Sequence, residues 1–493
     1  MSKEKEIKLE VEPEEDSGNE TSPENSERKE SREFIEELYD NDGENRHPTE
    51  FNSMLYTALI VLKGMIGAGI LNLPLIIKTF GFIGGSILTF VLALIAISVA
   101  YYLGRDKDIT QRYSYAVYSK LMMGTAGTII MKISLIIMLS TVTVVQLIVF
   151  GDVLKGLSIL FYDINIKILI LAIALILLPF MFQKDISGIT KYAYLGIIGL
   201  GIFCIAHFIL FIYKYNQNKI IFEKSMLYPN GTMKDIILCI GGYYNAFAFH
   251  MSYFSYYLPL KPRKNKVMMK SVTIGTLTAS IIYLLYGSLF YLMYGSQISD
   301  SALKYLQNDL SEAYKNNQII IVVTLFICFF SFLINASISS MINFYFFKSH
   351  FISLISFAIK KKLEKEKEEK DKKAILLVEI NEDSKESNIS RKVSYDSHNI
   401  TINQELLSER KQFLITFGCY FYVLCMALGF DKIIILDSFN GATVANYINI
   451  IAPCMFFLYF SRDKKNCKEK LLSSFNLIFG SCLVIFYFIF LFF

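Results

Sequence analysis

The sequence predicts an all-α membrane protein with eleven transmembrane helices. Three observations carry that expectation. Of the 493 residues 53% are hydrophobic, the mean hydropathy is +0.42, and apolar runs of about 20 residues, the length that spans a bilayer, recur along most of the chain.

Residues 1–50 hold seven Lys and Arg against eighteen Asp and Glu with no apolar periodicity, which predicts a disordered acidic cytosolic tail. No basic, apolar and small-residue cleavage pattern precedes the first apolar run, so that run is expected to start insertion and not to be removed as a signal peptide. Residues 51–348 carry helices 1 to 8, with runs near 53–78, 82–103, 127–150, 166–182, 192–213, 236–258, 271–294 and 318–347. Residues 349–411 form a charged cytosolic insertion. Within it "KKKLEKEKEEKDKK" is nearly balanced in sign and reads as a solvated helix, and the Ser-rich "EDSKESNISRKVSYDS" offers phosphorylation sites. The tail and this insertion are the two segments open to cytosolic partners. Residues 412–493 carry helices 9 to 11, near 412–430, 442–460 and 471–492, with Asp431, Lys432 and Asp437 expected in the loop between the first two.

Orientation follows from the basic loops. With the amino terminus in the cytosol, the short connections 104–126, 183–191, 259–270 and 461–470 hold sixteen Lys and Arg, and the opposite loops 151–167, 214–235, 295–317 and 431–441 hold nine. An odd number of spans then puts the carboxyl terminus on the far side. The sequon Asn230-Gly231-Thr232 faces outward and is a glycosylation candidate, while those at Asn388 and Asn399 face the cytosol. The cysteines lie in or near apolar runs apart from Cys467 on the cytosolic side, so no outward disulfide framework is expected. A plasma membrane and an endolysosomal or vacuolar membrane fit these features alike.

Nothing in the chain points to an enzyme. His47, His207, His250, His350 and His398 do not pair with cysteines or carboxylates at metal-ligand spacing, and no Walker loop is present. Catalytic residues, a metal, an organic cofactor and a nucleic-acid partner are therefore not expected.

The stretch "KGMIGAGILNLP", Lys63 to Pro74, interrupts the first run with glycines, a lysine and a proline, each of which costs helix stability or burial energy in a bilayer. Irregular backbone survives in lipid only where it is buried in protein or lines a cavity. Gly64, Gly67 and Gly69 thus predict a helix unwound near the midplane, with amides and carbonyls that can hold a small zwitterion or ion. Packing through small residues would explain the glycines but not Lys63. The sixth run, "IILCIGGYYNAFAFHMSYFSYYLPL", repeats the pattern with Gly241, Gly242, Asn245 and a titratable His250. Runs 1 and 6 stand five apart. Five is odd, so a repeat of that length re-enters from the opposite side, giving a five-plus-five inverted repeat with broken helices 1 and 6.

At these residues the chain resembles the amino acid/auxin permease family, whose members carry an amino acid transporter transmembrane domain, and its proton-coupled amino acid transporter branch most. The resemblance rests on "LKGMIGAGILNLPLIIKTFGFIGG", "VFGDVL" (149–154), "AFAFHMSYFSYYLPL" (246–260), "LYGSLFYLMYGS" (285–296) and "FNGATVANYINIIAPCMFFLYF" (439–460), and covers about 51–348 and 412–493. It implies the sodium-symporter-like fold with an eleventh helix, and alternating access to a central site. Three departures stand out: helix 8 lacks the prolines of many relatives, helix 6 runs about two residues longer, and Ile60 stands where the branch often has a histidine.

The expected activity is secondary active transport of amino acids, with the substrate carboxylate on the amides around Gly67, Ala68 and Gly69 and its ammonium toward the carbonyls of Gly241 to Tyr244. Tyr243, Tyr244, Phe247 and Phe249 would line or gate the side-chain pocket. Sodium-coupled relatives place hydroxyl ligands in helix 8, where Ser337, Ser339 and Ser340 stand here, and often an asparagine where this chain has Lys63. An ammonium in that niche repels sodium, so a proton is expected as the coupling ion, with Lys63 and His250 as its candidate carriers. Two other readings stay open: a membrane amino acid sensor with little or no transport, and a sodium-coupled symporter.

Overall fold

The computed structural model describes residues 52–162, 164–183, 193–298, 301–382, 407–430, 433–462 and 466–492. The expected tail, the phosphorylation sites and the sequons at Asn388 and Asn399 lie outside the described residues. Among those residues the protein is helical, and the β structure is one bridge, Asn52 to Leu260.

Helix α1, Met54–Met65, is capped by Ser53, whose side chain accepts from the Tyr56 amide at 3.2 Å. It stops at Ile66, whose ψ of 92° is extended, and after Gly67 a 3-10 turn, Ala68–Asn72, leads into α2, Leu73–Thr110, with Pro74 in its first turn. Inside α2 the chain turns sharply at Gly81. Its φ is +67°, and a Cβ there would lie 2.4 Å from the Tyr228 carbonyl oxygen, so only glycine fits. The expected runs 1 and 2 therefore meet at Gly81 without a loop. Helix α3, Tyr115–Ser158, bends likewise at Gly124. Most of the basic 104–126 connection is thus helix, because "RDKDIT" continues the hydrogen-bonded ladder of α2 past the end of its apolar stretch.

Helix α4, Ile166–Met181, is short, and its carboxyl end is closed from a distance. Lys348 Nζ donates to the carbonyls of Met181 (2.8 Å) and Gln183 (2.5 Å), placing a cation where the helix dipole is negative. Helix α5 is Ala193–Asn216. The sixth run is split into α6, Met233–Ala246, and α7, Tyr253–Tyr257, by an irregular stretch and a 3-10 turn, His250–Ser252. Then follow α8, Asn265–Tyr294, and α9, Ala302–Lys315. Helix α10, Ile319–Glu382, has 64 residues and is about 96 Å long. The first part of the expected insertion is accordingly an extension of helix 8. Helix α11, Glu409–Gly429, is followed by α12, Ile433–Ala442, a π-helical turn, Tyr447–Ile451, α13, Ala452–Phe460, and α14, Cys467–Phe492. The π turn lies just ahead of Pro453, which has no amide to continue the regular ladder.

The expected 431–441 loop is corrected by α12. Leu436, Asp437, Ser438 and Asn440 are buried within it, because side chains from two other segments satisfy Asp437 there. Eight helical stretches among the described residues are long and apolar enough to cross a membrane, and Met54–Met65 and Ile166–Met181 are shorter apolar helices.

With lipid on the outside, helices gain little from hiding apolar side chains, and close backbone approach does more. Outward residues such as Ile168, Leu175, Ile176, Phe475, Ile478 and Ile485 stay exposed. Contacts are closest where glycines meet carbonyls: a Cβ on Gly275 of α8 would lie 2.8 Å from the Ala58 carbonyl of α1, and one on Gly441 of α12 only 1.9 Å from the Gly241 carbonyl of α6. The beginning of the first segment is tied to the end of the sixth by Asn52 N donating to Pro259 O (2.7 Å) and Lys261 N to Asn52 O (3.0 Å).

Candidate functional site

Two broken helices face one another across the 3-10 turn at Ala68–Asn72. At the first break, Gly64 is exposed, Gly67 and Gly69 are half-buried and Ala68 is buried. A Cβ on Gly67 would find no atom within 4 Å, and its φ of −116° carries no left-handed strain, so this glycine borders open space. Gly64 does not: its Cβ would meet the Tyr256 hydroxyl at 2.5 Å. The Gly67 amide, expected to face the carboxylate, donates instead to the Met65 carbonyl (3.1 Å), whereas those of Ala68 and Gly69, which open the 3-10 turn, lack an intrahelical acceptor by helix geometry and are donors for an anion.

The second break is more crowded. Beyond Ala246 the carbonyls of Tyr244 and Asn245 accept from the amides of Phe247 and Ala248, and that of Ala246 from the Tyr283 hydroxyl at 2.6 Å. Gly241 and Gly242, expected beside the substrate, lie instead against α12, where their Cβ atoms would meet the Ser438 carbonyl at 2.7 Å and the Ser438 hydroxyl at 3.5 Å. They are contact glycines in this arrangement. The Tyr243 hydroxyl shares a hydrogen bond with Thr89 Oγ1, and Phe247 packs edge-on to Tyr283 with ring centres 5.3 Å apart. The Tyr244 hydroxyl is buried and has no hydrogen-bond partner among the described residues. Phe249 lies on the His250 ring at 4.2 Å.

Lys63 is buried one turn before the first break and reaches α10. Its Nζ donates to Asn335 Oδ1 (2.5 Å), the Asn335 carbonyl (3.3 Å) and Ser339 Oγ (2.5 Å), and Gly196 of α5 leaves room for its chain, since a Cβ there would lie 2.7 Å from Lys63 Cε. Ser337 and Ser340 are not part of this contact. Ser337 lies on the other side of the helix from Asn335, and the Ser340 hydroxyl is buried without a partner among the described residues. His250 is held on three sides: Nε2 contacts the Ala96 carbonyl at 2.8 Å, its amide donates to Asn449 Oδ1 (3.1 Å), and its carbonyl accepts from the Tyr115 hydroxyl (3.1 Å). Asn230 is exposed beside the Gly81 turn, its amide on the Thr79 carbonyl at 3.1 Å, while Thr232 of the same sequon caps α6 in a capping box with Asp235.

Asp437 was expected in a loop, and it belongs to this centre. It accepts from Asn72 Nδ2 at Oδ2 (2.8 Å) and from Asn245 Nδ2 at Oδ1 (2.6 Å), so one carboxylate joins both breaks. The usable signal was the spacing of Asp437, Asn440 and Gly441, a polar stripe at i, i+3 and i+4 that reads as one face of a helix. At the amino-terminal end of α12, Ile433 borders a cavity of about 190 Å³ lined also by Asp152, Lys167 and Lys304.

The model of the family described as "Transmembrane amino acid transporter protein" matches residues 51–493 of this chain. "Amino acid transporter AVT6E" of Arabidopsis thaliana is 24% identical over 250 residues, 48% of this chain and 50% of that protein. The chain thus matches about half the length of this curated relative. The structure of MHP1, a nucleobase-cation-symport-1 family transporter in a closed conformation with bromovinylhydantoin bound, has a TM-score of 0.53 and 11% identity, covering 90% of this chain and 92% of that one. That likeness is one of fold.

Proposed function

This chain belongs to the transmembrane amino acid transporter protein family and is a multi-pass integral membrane protein, and from that premise we propose that it moves amino acids across the bilayer by proton-coupled, sodium-independent alternating access. The observation that carries the sodium independence is Lys63. A carbonyl, an amide oxygen and a hydroxyl converge on its Nζ beside the first break, which is the hard-oxygen set a sodium ion takes, and an ammonium already fills it. A second unit charge about 4 Å away would be repelled by about 4 kcal/mol at an effective dielectric of about 20.

The amides of Ala68 and Gly69, beside the open space at Gly67, suit the substrate carboxylate, and the negative end of the α6 dipole favours its ammonium. The helix contacts support an eleven-span protein with an inverted repeat: segment 1 packs on segments 5 and 7, and segment 6 on segments 10 and 2, the partners obtained by shifting each by five. In this reading the half-helices on either side of Gly67 and of Phe247 rock against the remaining bundle.

The test is uptake of labelled amino acids into proteoliposomes holding the purified chain. Accumulation driven by an inward proton gradient supports the reading. Binding without accumulation would make the protein a sensor, and accumulation that needs sodium would make it a sodium symporter.

A further inference from the structure

Among the described residues, Asp437 is the charged group at the meeting point of three segments: the 3-10 turn of segment 1, the end of α6, and α12. It is 4% exposed. Both of its hydrogen-bond donors, Asn72 and Asn245, are neutral amides, and no described cation pairs with it. The backbone of both breaks runs beside the carboxylate: a Cβ on Gly69 or Gly242 would be in ordinary van der Waals contact with Oδ2, at 3.8 and 3.7 Å.

The groups that face Asp437 do not supply a counter-charge. From α8 the Tyr283 phenol is near, but it donates to the Ala246 carbonyl. The Tyr243 hydroxyl of α6 is turned to Thr89. Asp152 of α3, Lys167 of α4 and Lys304 of α9 border the cavity at Ile433, one turn away, and on the α14 side Tyr487 lies against Phe439. A carboxylate buried without a cation is costly, and neutral donors offset only part of the cost. The packing around it is tight, with α12 and α6 in backbone contact at Gly441 and Gly241, so the cation admitted most readily is the smallest.

We propose that Asp437 is the seat of the coupling proton, an inference that rests on the proton-coupled reading above. A proton that bonds to Oδ1 or Oδ2 turns that oxygen from acceptor to donor, and the facing amide, Asn245 or Asn72, must then turn to present its own oxygen. Asn72 closes the 3-10 turn and Asn245 sits in the last turn of α6, so one O–H bond formed or broken is felt at both breaks. No other bond changes, and the same proton is released to the opposite side.

Two measurements test this. In proteoliposomes, Asp437→Asn is expected to lose accumulation driven by the proton gradient and the acid stimulation of uptake between about pH 5 and about pH 8, while exchange of internal for external amino acid falls by only about fivefold, the scale of one lost neutral hydrogen bond. Asp437→Glu is expected to recover part of the acid stimulation. Gradient-driven accumulation retained in Asp437→Asn would overturn the proposal. The second measurement uses the wild-type chain and does not depend on the variant folding or on transport. An apolar carbodiimide, which modifies protonated carboxyls, is expected to label Asp437 faster at acid pH, as mapped by peptide mass spectrometry. Labelling of Asp437 that is absent, or indifferent to pH, would overturn it. Failure of the wild-type chain to transport any amino acid, with Asp437 labelled as expected, would instead bring down the transport reading and the coupling role with it.

Discussion

Gly67→Val separates a glycine that serves a ligand from one that serves packing. Nothing lies within 4 Å of a Cβ at Gly67 and φ is −116°, so valine meets no neighbour and no left-handed strain, and the cost is confined to a ψ of −147°, outside the β region. Restricting the unfolded chain offsets part of that strain, and stability is expected to fall by about 1–2 kcal/mol, which leaves the chain folded. The added methyl groups occupy the open space beside the Ala68 and Gly69 amides. If the substrate carboxylate binds there through two charge-assisted hydrogen bonds worth about 1.5 kcal/mol each, their loss is about 3 kcal/mol, or more than about a hundredfold in affinity. The assay pairs thermal unfolding of the detergent-purified protein with counterflow in proteoliposomes. Gly84→Ala is the control, since its Cβ makes only a tight contact with Phe80 at 3.4 Å, and it should keep transport. Equal transport in Gly67→Val and wild type would refute the placement of the carboxylate, and equal loss in both variants would assign the glycines to packing.

Gly441→Ala should fail in the opposite way, with loss of folded protein by at least about 2 kcal/mol in the same melting assay, because its Cβ would lie 1.9 Å from the Gly241 carbonyl oxygen. Lys63→Asn replaces the ammonium by a neutral oxygen-bearing side chain beside Asn335 and Ser339, so sodium should raise the melting temperature of this variant and leave that of the wild type unmoved; choline in place of sodium is the reference. Lys348→Met removes the cation that closes α4 and is expected to cost about 1 kcal/mol of stability, with substrate counterflow unchanged, a split that melting and counterflow together can read.

The two breaks were legible because breaking a membrane helix takes particular residue types, and glycines with a lysine or an asparagine announce themselves in an apolar run. What holds the breaks was not. Lys63 finds Asn335 272 positions away, and Asp437 finds Asn72 and Asn245 at separations of 365 and 192, distances over which local pattern says nothing. Hydropathy placed Asp437 in a loop because it scores a carboxylate without its partners. The same scoring ended segment 2 too early, since "RDKDIT" is polar yet remains in the α2 ladder to Thr110. Gly241 and Gly242 show the converse: the sequence marks them as special, and whether a glycine faces a ligand or a neighbouring helix is decided by α12, two hundred residues on.

The most direct test of the account is amino acid uptake by the wild-type chain in proteoliposomes with sodium wholly replaced by choline, with and without an inward proton gradient. The account predicts accumulation above equilibrium only when the gradient is present, at a rate unchanged by restoring sodium. Accumulation that requires sodium and ignores the proton gradient would contradict it.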